Sequence, residues 1–141
     1  MKTKGEIEGA ISECMGHFEQ EFMGRGPKDV RVHLIHDLVV VRLQGVLTVA
    51  EQHLVKTLVA AEGRDLLKQM RTHLIETARP AMGVIVQEIT GVKVISLHHD
   101  ISTTTGEEVV VFTLAEPALF RETRKNNMTE SSGQSNRLFC R

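Results

Sequence analysis

Apolar residues at Ile7, Ile11, Cys14, Phe18 and Phe22 recur in steps of 4, 3, 4 and 4. A helix of 3.6 residues per turn gathers such positions on one face, so the spacing predicts an amphipathic helix. Thr3 stands three residues before Glu6. In that arrangement each side chain can satisfy the other residue's free backbone amide, which marks a helix start. Gly24 is placed to end the helix, because glycine tolerates the left-handed conformation past a last turn. Gly24-Arg25-Gly26-Pro27 reads as a loop.

The period then changes to two. Val30 to Ile35 and Leu38 to Leu43 predict a β-hairpin around a two-residue turn, His36-Asp37, although the glycine such turns favour is missing. That register sets Leu34 against Val39 and Val32 against Val41, an apolar face for the core with Leu43 at its end. The opposite face carries Arg31, His33 and Ile35 against Arg42, Val40 and Leu38.

Thr48 and Glu51 form a second capping pair and open a second helix. Gly63 is expected to break it and Asp65 to cap a third. The third helix is long, with Leu66, Met70, Leu74, Ala78, Ala81, Ile85 and Ile89 on the expected buried stripe. Pro80 lies inside it. A mid-helix proline lacks the amide donor and crowds the preceding turn, at about 3 kcal/mol, so a bend is expected near Thr77 to Arg79. Gly91 ends this helix. A second hairpin follows, Val92 to Ile101 and Val109 to Leu114, around the turn at 102–107.

The order is helix–hairpin, then helix–hairpin. This implies an α+β fold: two such units forming a four-stranded antiparallel sheet, with the helices packed on one face. Val39-Val40-Val41-Arg42-Leu43 and Val109-Val110-Val111-Phe112 echo one another, as an internal repeat would. Residues 1–119 read as one domain. Residues 120–141 are polar and charged and read as a disordered tail.

Composition narrows the classes. A chain of 141 residues suits one domain. No apolar run approaches the roughly 20 residues of a membrane span, so no direct membrane insertion is expected. The amino-terminal stretch lacks the apolar segment of a signal peptide. Cys14 and Cys140 match no zinc or redox spacing; reduced thiols in a cytoplasmic protein are expected, with Cys14 inert on a core stripe. The net charge of −1 hides an asymmetry, since residues 120–141 hold five Lys or Arg against two Glu. The body is therefore acidic, and the chain has no Trp and no Tyr. Both features argue against a nucleic-acid partner.

Six stretches carry a resemblance: Phe22-Met23-Gly24-Arg25-Gly26-Pro27-Lys28, residues 40–48, Ala78-Arg79-Pro80, residues 88–94, Asp100-Ile101-Ser102-Thr103 and Val111-Phe112-Thr113-Leu114. In these the chain resembles a family of small bacterial proteins, formerly a domain of unknown function and now labelled MpsC. The family is a proposed component of a sodium-translocating, membrane-potential-generating system. The resemblance covers about residues 1–116. It implies association with a membrane ion- or inorganic-carbon-transport assembly, and it implies no catalytic residue.

Three features could carry chemistry. His33, His36, Asp37, His98, His99 and Asp100 have the donor types that bind zinc. His33, His98 and Asp100 are the weak metal candidates, against the plainer reading of polar strand and turn residues. Too few share a face to complete a tetrahedron, so no metal and no cofactor is expected. Arg25, Lys28 and Arg31 flank a glycine-rich loop and could hold an anion, although the loop lacks phosphate-loop spacing. The third feature is the outer sheet face: His33, Ile35, Leu38, Val40, Arg42, Val109 and Val111. It is more apolar than a solvated face should be, which marks an interface unless the second helix covers it. Glu107-Glu108 reads as a solvated turn pair, and no nucleophile with a partnering base is evident.

These readings converge on a non-enzymatic, cytoplasmic accessory protein, a homo-oligomer and most simply a dimer, peripheral to the membrane through a membrane-protein partner. A small-anion or metal-ion sensor is the alternative. A hydrolase or lyase is the third class.

Overall fold

The Glu6 amide donates to Thr3 Oγ1 at 3.1 Å, and the Thr3 amide donates to Glu6 Oε1 at 2.9 Å. This reciprocal cap starts helix α1 (Lys4–Met23), and Gly24 closes it at φ +80°. The structure is a computed structural model that describes residues 1–57 and 60–122. Its further elements are β1 (Asp29–Ile35), β2 (Leu38–Gln44), α2 (Val49–Thr57), α3 (Ala60–Thr90), β3 (Val94–Ile101) and β4 (Glu108–Leu114). The fold is α+β, as the pattern implied.

The four strands form one antiparallel sheet in the order β1-β2-β4-β3. Each hairpin contributes one central and one edge strand, so the two units meet through β2 and β4. The first hairpin has the expected register, Leu34 opposite Val39 and Val32 opposite Val41. Its turn works without glycine because His36 takes the left-handed conformation, φ +56°. Alternation puts Val32, Leu34, Val39, Val41, Leu43, Leu97, Ile101, Val110, Phe112 and Leu114 on the face against α1 and α3, all buried. A β-bulge between Val94 and Ser96 shifts the phase in β3. Ile95 is therefore turned out, 60% exposed, while Val94 packs on the core.

Several local expectations need correction. Gly63 does not break a helix: α3 begins at Ala60 and runs through it, so Asp65 caps nothing. A Cβ on Gly63 would lie 3.0 Å from Leu54 O and 3.2 Å from Val55 Cα. The glycine is there because α2 crosses α3 at that point with backbone against backbone. The buried stripe of α3 is Leu67, Arg71, Ile75, Ala78, Met82, Val86 and Ile89. Except at Ala78 and Ile89 this is one residue out of phase with the expected stripe, and Leu66 and Met70 are exposed. The helix runs unbroken through Pro80.

In α1 the buried face ends on Glu19, not Phe22. Phe22 is 41% exposed and stacks on Phe18 at a centroid distance of 4.9 Å. Cys14 is buried and is not a free thiol, contrary to the expectation of a reduced cysteine. After β4, Ala118 is buried and the Arg121 amide donates to Lys2 O at 2.8 Å. The expected tail falls outside the described residues from 123 onward.

Candidate functional site

The sheet face away from α1 and α3 is built from cross-strand rows. Ladder pairing aligns His33, Val40, Val111 and His98 across β1, β2, β4 and β3. The row above holds Ile35, Leu38, Thr113 and Ser96, and the row below holds Arg31, Arg42, Val109 and Asp100. Leu38, Val40, Val109 and Val111 sit at the centre, half-buried, and Ile35 at the edge is 55% exposed. Helix α2 does not cover this face; it packs on α3. Charges rim the lower side. Arg42 donates to Glu107 Oε2 through Nε and Nη2 at 3.0 and 2.8 Å, and Arg31 Nε donates to Asp29 Oδ2 at 2.9 Å. Asp100 pairs with Lys68 of α3 at 3.0 Å, and this hydrogen bond holds its carboxyl below the ordinary value.

The metal candidates are not brought together. His33 and His98 share a row but occupy the two edge strands. Three strand spacings of about 4.8 Å separate them by roughly 14 Å, too far for one ion. Among the described residues no group of three or more His, Cys, Asp or Glu is arranged to hold a metal. His99 points to the helix side, where burial lowers its affinity for a proton.

The anion candidates divide. Arg25 and Lys28 line one cleft with Lys56 and the 103–106 turn, whereas Arg31 lies elsewhere, on Asp29.

The densest ionic feature is one the sequence reading missed. Arg71, on the buried stripe of α3, is 0% exposed. Its Nη2 donates to Glu51 Oε1 at 2.9 Å and to Val46 O at 3.1 Å, and its Nε donates to Glu51 Oε2 at 3.3 Å. Its Nη1 donates to Glu108 Oε1 at 3.1 Å and lies 3.8 Å from Glu19 Oε1. One guanidinium thus joins α1, α2, α3 and β4. Glu108 is fully buried, not a solvated turn residue.

Three carboxylates against one arginine leave an excess of negative charge. Burial, then repulsion from Glu108, pushes the Glu19 carboxyl up to about 7 despite Arg71. Burial likewise raises Glu108. Burial pulls Arg71 down, but the Glu51 hydrogen bond and the surrounding carboxylates outweigh it and raise the guanidinium. Glu19 Oε1 and Glu108 Oε2 are buried without a hydrogen-bond partner. A proton held by Glu19 relieves the repulsion between them. The available signal was spacing: Glu19 is four residues after Met15, and Arg71 lies midway between Leu67 and Ile75.

Comparison with known proteins places the chain. The family model described as "Na+-translocating membrane potential-generating system (MpsC)" matches residues 3–116. The chain is 39% identical over 113 residues to "Uncharacterized protein YbcI" of Bacillus subtilis (strain 168), covering 80% of this chain and 89% of that protein. No solved structure matches. The match runs from the first capping threonine past the last strand of the sheet, and on it the chain belongs to the MpsC family.

Proposed function

We propose that this chain is a non-catalytic, cytoplasmic accessory subunit of a membrane-potential-generating assembly, and that it acts as a dimer joined through the outer face of its sheet. The family description motivates the assembly. Among the described residues no helix is long and apolar enough to cross a membrane, so attachment through a membrane-protein partner fits. The non-catalytic reading rests on Arg71, Glu51, Glu19 and Glu108, whose charges are turned inward onto one another.

The observation that carries the dimer is the apolar centre, Leu38, Val40, Val109 and Val111, over which no described helix packs. Two copies stacked about an axis parallel to the strands set the order β1-β2-β4-β3 over β3-β4-β2-β1. Val40 then meets Val111 of the second copy, and Arg31 meets Asp100 of the second copy. Such an isologous pairing sets apolar residues against apolar residues and Arg31 against Asp100. The face measures about 20 by 23 Å from strand spacing and rise, or roughly 450 Å² per copy. That is small, so the dimer is reversible rather than obligate.

The test of the role is genetic. In cells lacking the gene, Na+-dependent membrane potential is read with a voltage-sensitive dye. Wild type restores it; Val40→Asp, folded but unable to associate, does not. Full restoration by Val40→Asp would sink this reading.

A further inference from the structure

A second feature, independent of the sheet face, is the cleft that Arg25 and Lys28 share. Three cations line it from two segments: Arg25 and Lys28 from the loop between α1 and β1, and Lys56 from the last turn of α2. The opposite wall is the β3–β4 turn, with Thr103, Thr104, Thr105 and Gly106. Gln52, Leu47, Val55 and Gly45 also line it, and among the described residues the lining contains no Asp or Glu. None of the three cations is in an ion pair with a described residue. Four other surface cations are each matched to a carboxylate: Arg31 to Asp29, Arg42 to Glu107, Lys68 to Asp100 and Arg79 to Glu76. Convergence of like charges is unfavourable unless an anion joins them.

The cleft is also built. Gly45 holds φ +67°, and a Cβ there would come 2.7 Å from Lys28 Cγ and 2.8 Å from Lys28 Cδ. Glycine at this position leaves room for the lysine stem to lie against the backbone. The Lys28 amide donates to Gln44 O at 2.8 Å, which anchors the other end. The threonine turn is closed by Gly106 N donating to Ser102 O at 2.8 Å and Thr105 N donating to Ser102 Oγ at 3.2 Å. Ammonium, guanidinium and hydroxyl donors together suit phosphate oxygens. The volume, about 310 Å³, is at the lower end for small-molecule sites, about 300–1,000 Å³, and is more than a bare ion needs. Leu47 and Val55 give an apolar wall for an organic body.

We propose that this cleft binds a small phosphate ester, with its phosphate among Arg25, Lys28, Lys56 and the turn threonines and its organic part against Leu47 and Val55. The ester is either a soluble metabolite or a lipid headgroup; both present the same chemistry. The probes are glycerol 3-phosphate by calorimetric titration and phosphatidylglycerol vesicles by flotation, each with the full chain. Saturable binding of glycerol 3-phosphate, weakened by about tenfold or more in Lys28→Ala/Lys56→Ala and in Arg25→Ala, supports a soluble ester. Vesicle binding alone, lost in the same variants, supports a headgroup. Lys28 and Lys56 are exposed, so the double lysine variant melts as wild type does. Absence of binding to both probes up to about 10 mM phosphate, or binding that survives both variants, overturns the proposal.

Discussion

Glu51 Oε1 accepts two hydrogen bonds of 2.9 Å, one from the Thr48 amide and one from Arg71 Nη2. The same carboxylate therefore caps α2 and anchors it to α3. Removing the arginine strips the cap of its buried counter-charge and leaves three glutamates facing one another. Breaking a buried pair from one side costs about 3–5 kcal/mol. Arg71→Met is expected to lose that much in urea unfolding, and Arg71→Lys, which cannot span Glu51 and Glu108 together, most of it.

Glu19 gives the cluster a pH dependence. Its folded-state value, about 7, lies above the ordinary 4.5, so the folded protein holds a proton that the unfolded chain has released. Its contribution is fully present below about pH 4.5 and is lost as pH rises through about 7. The loss is about 3 kcal/mol. His99 works in the opposite sense, because its lowered value disfavours the folded state as pH falls through the histidine range. The clean reading is a difference: Glu19→Gln and wild type are equally stable near pH 4.5, and the variant is the more stable at pH 8. Parallel stability curves for the two proteins from pH 5 to pH 8 would show that Glu19 does not hold the proton.

Gly63 and Gly9 are both inside helices, yet their environments differ. A Cβ at Gly9 meets nothing within 4 Å, whereas one at Gly63 meets the α2 backbone at 3.0 Å. Gly9→Ala is expected to gain about 0.5–1 kcal/mol from reduced freedom of the unfolded chain. Gly63→Val is expected to cost about 1–3 kcal/mol by prising α2 from α3. Melting temperatures of the two variants should move in opposite directions.

Val41 is 0% exposed on the core side of β2. An unpaired aspartate there has no counter-ion and no water. Val41→Asp should abolish the cooperative melt by circular dichroism, whereas its neighbour Val40, on the outer face, should accept the same change and stay folded.

What could be read in advance follows physical range. The first hairpin was legible because its period is two, its runs are equal, and one slip would expose the whole apolar set. Both capping boxes were legible because they are local. The α3 stripe was not. Leu66 and Leu67, Ala81 and Met82, and Ile85 and Val86 offer two adjacent stripes, and the true one contains Arg71. Apolar periodicity favours the other stripe. What decides the issue is three carboxylates from α1, α2 and β4, and nothing near Arg71 in sequence announces them. The same non-locality hid Glu108, which looked like a turn residue, and Lys56, which completes the cation cleft across α2. The placing of β2 beside β4 is likewise a contact between halves, and it is what separates His33 from His98.

Sedimentation equilibrium tests the outer sheet face as an association surface directly. Wild type, Val40→Asp and Val111→Asp are compared from about 1 to 300 μM, a span that brackets a weak interface. Both variants must first show the circular dichroism of wild type. Wild type is expected to pass from monomer to dimer across the range, and both variants are expected to stay monomeric. A wild-type chain that is monomeric throughout, or a dimer that survives both substitutions, would contradict the account.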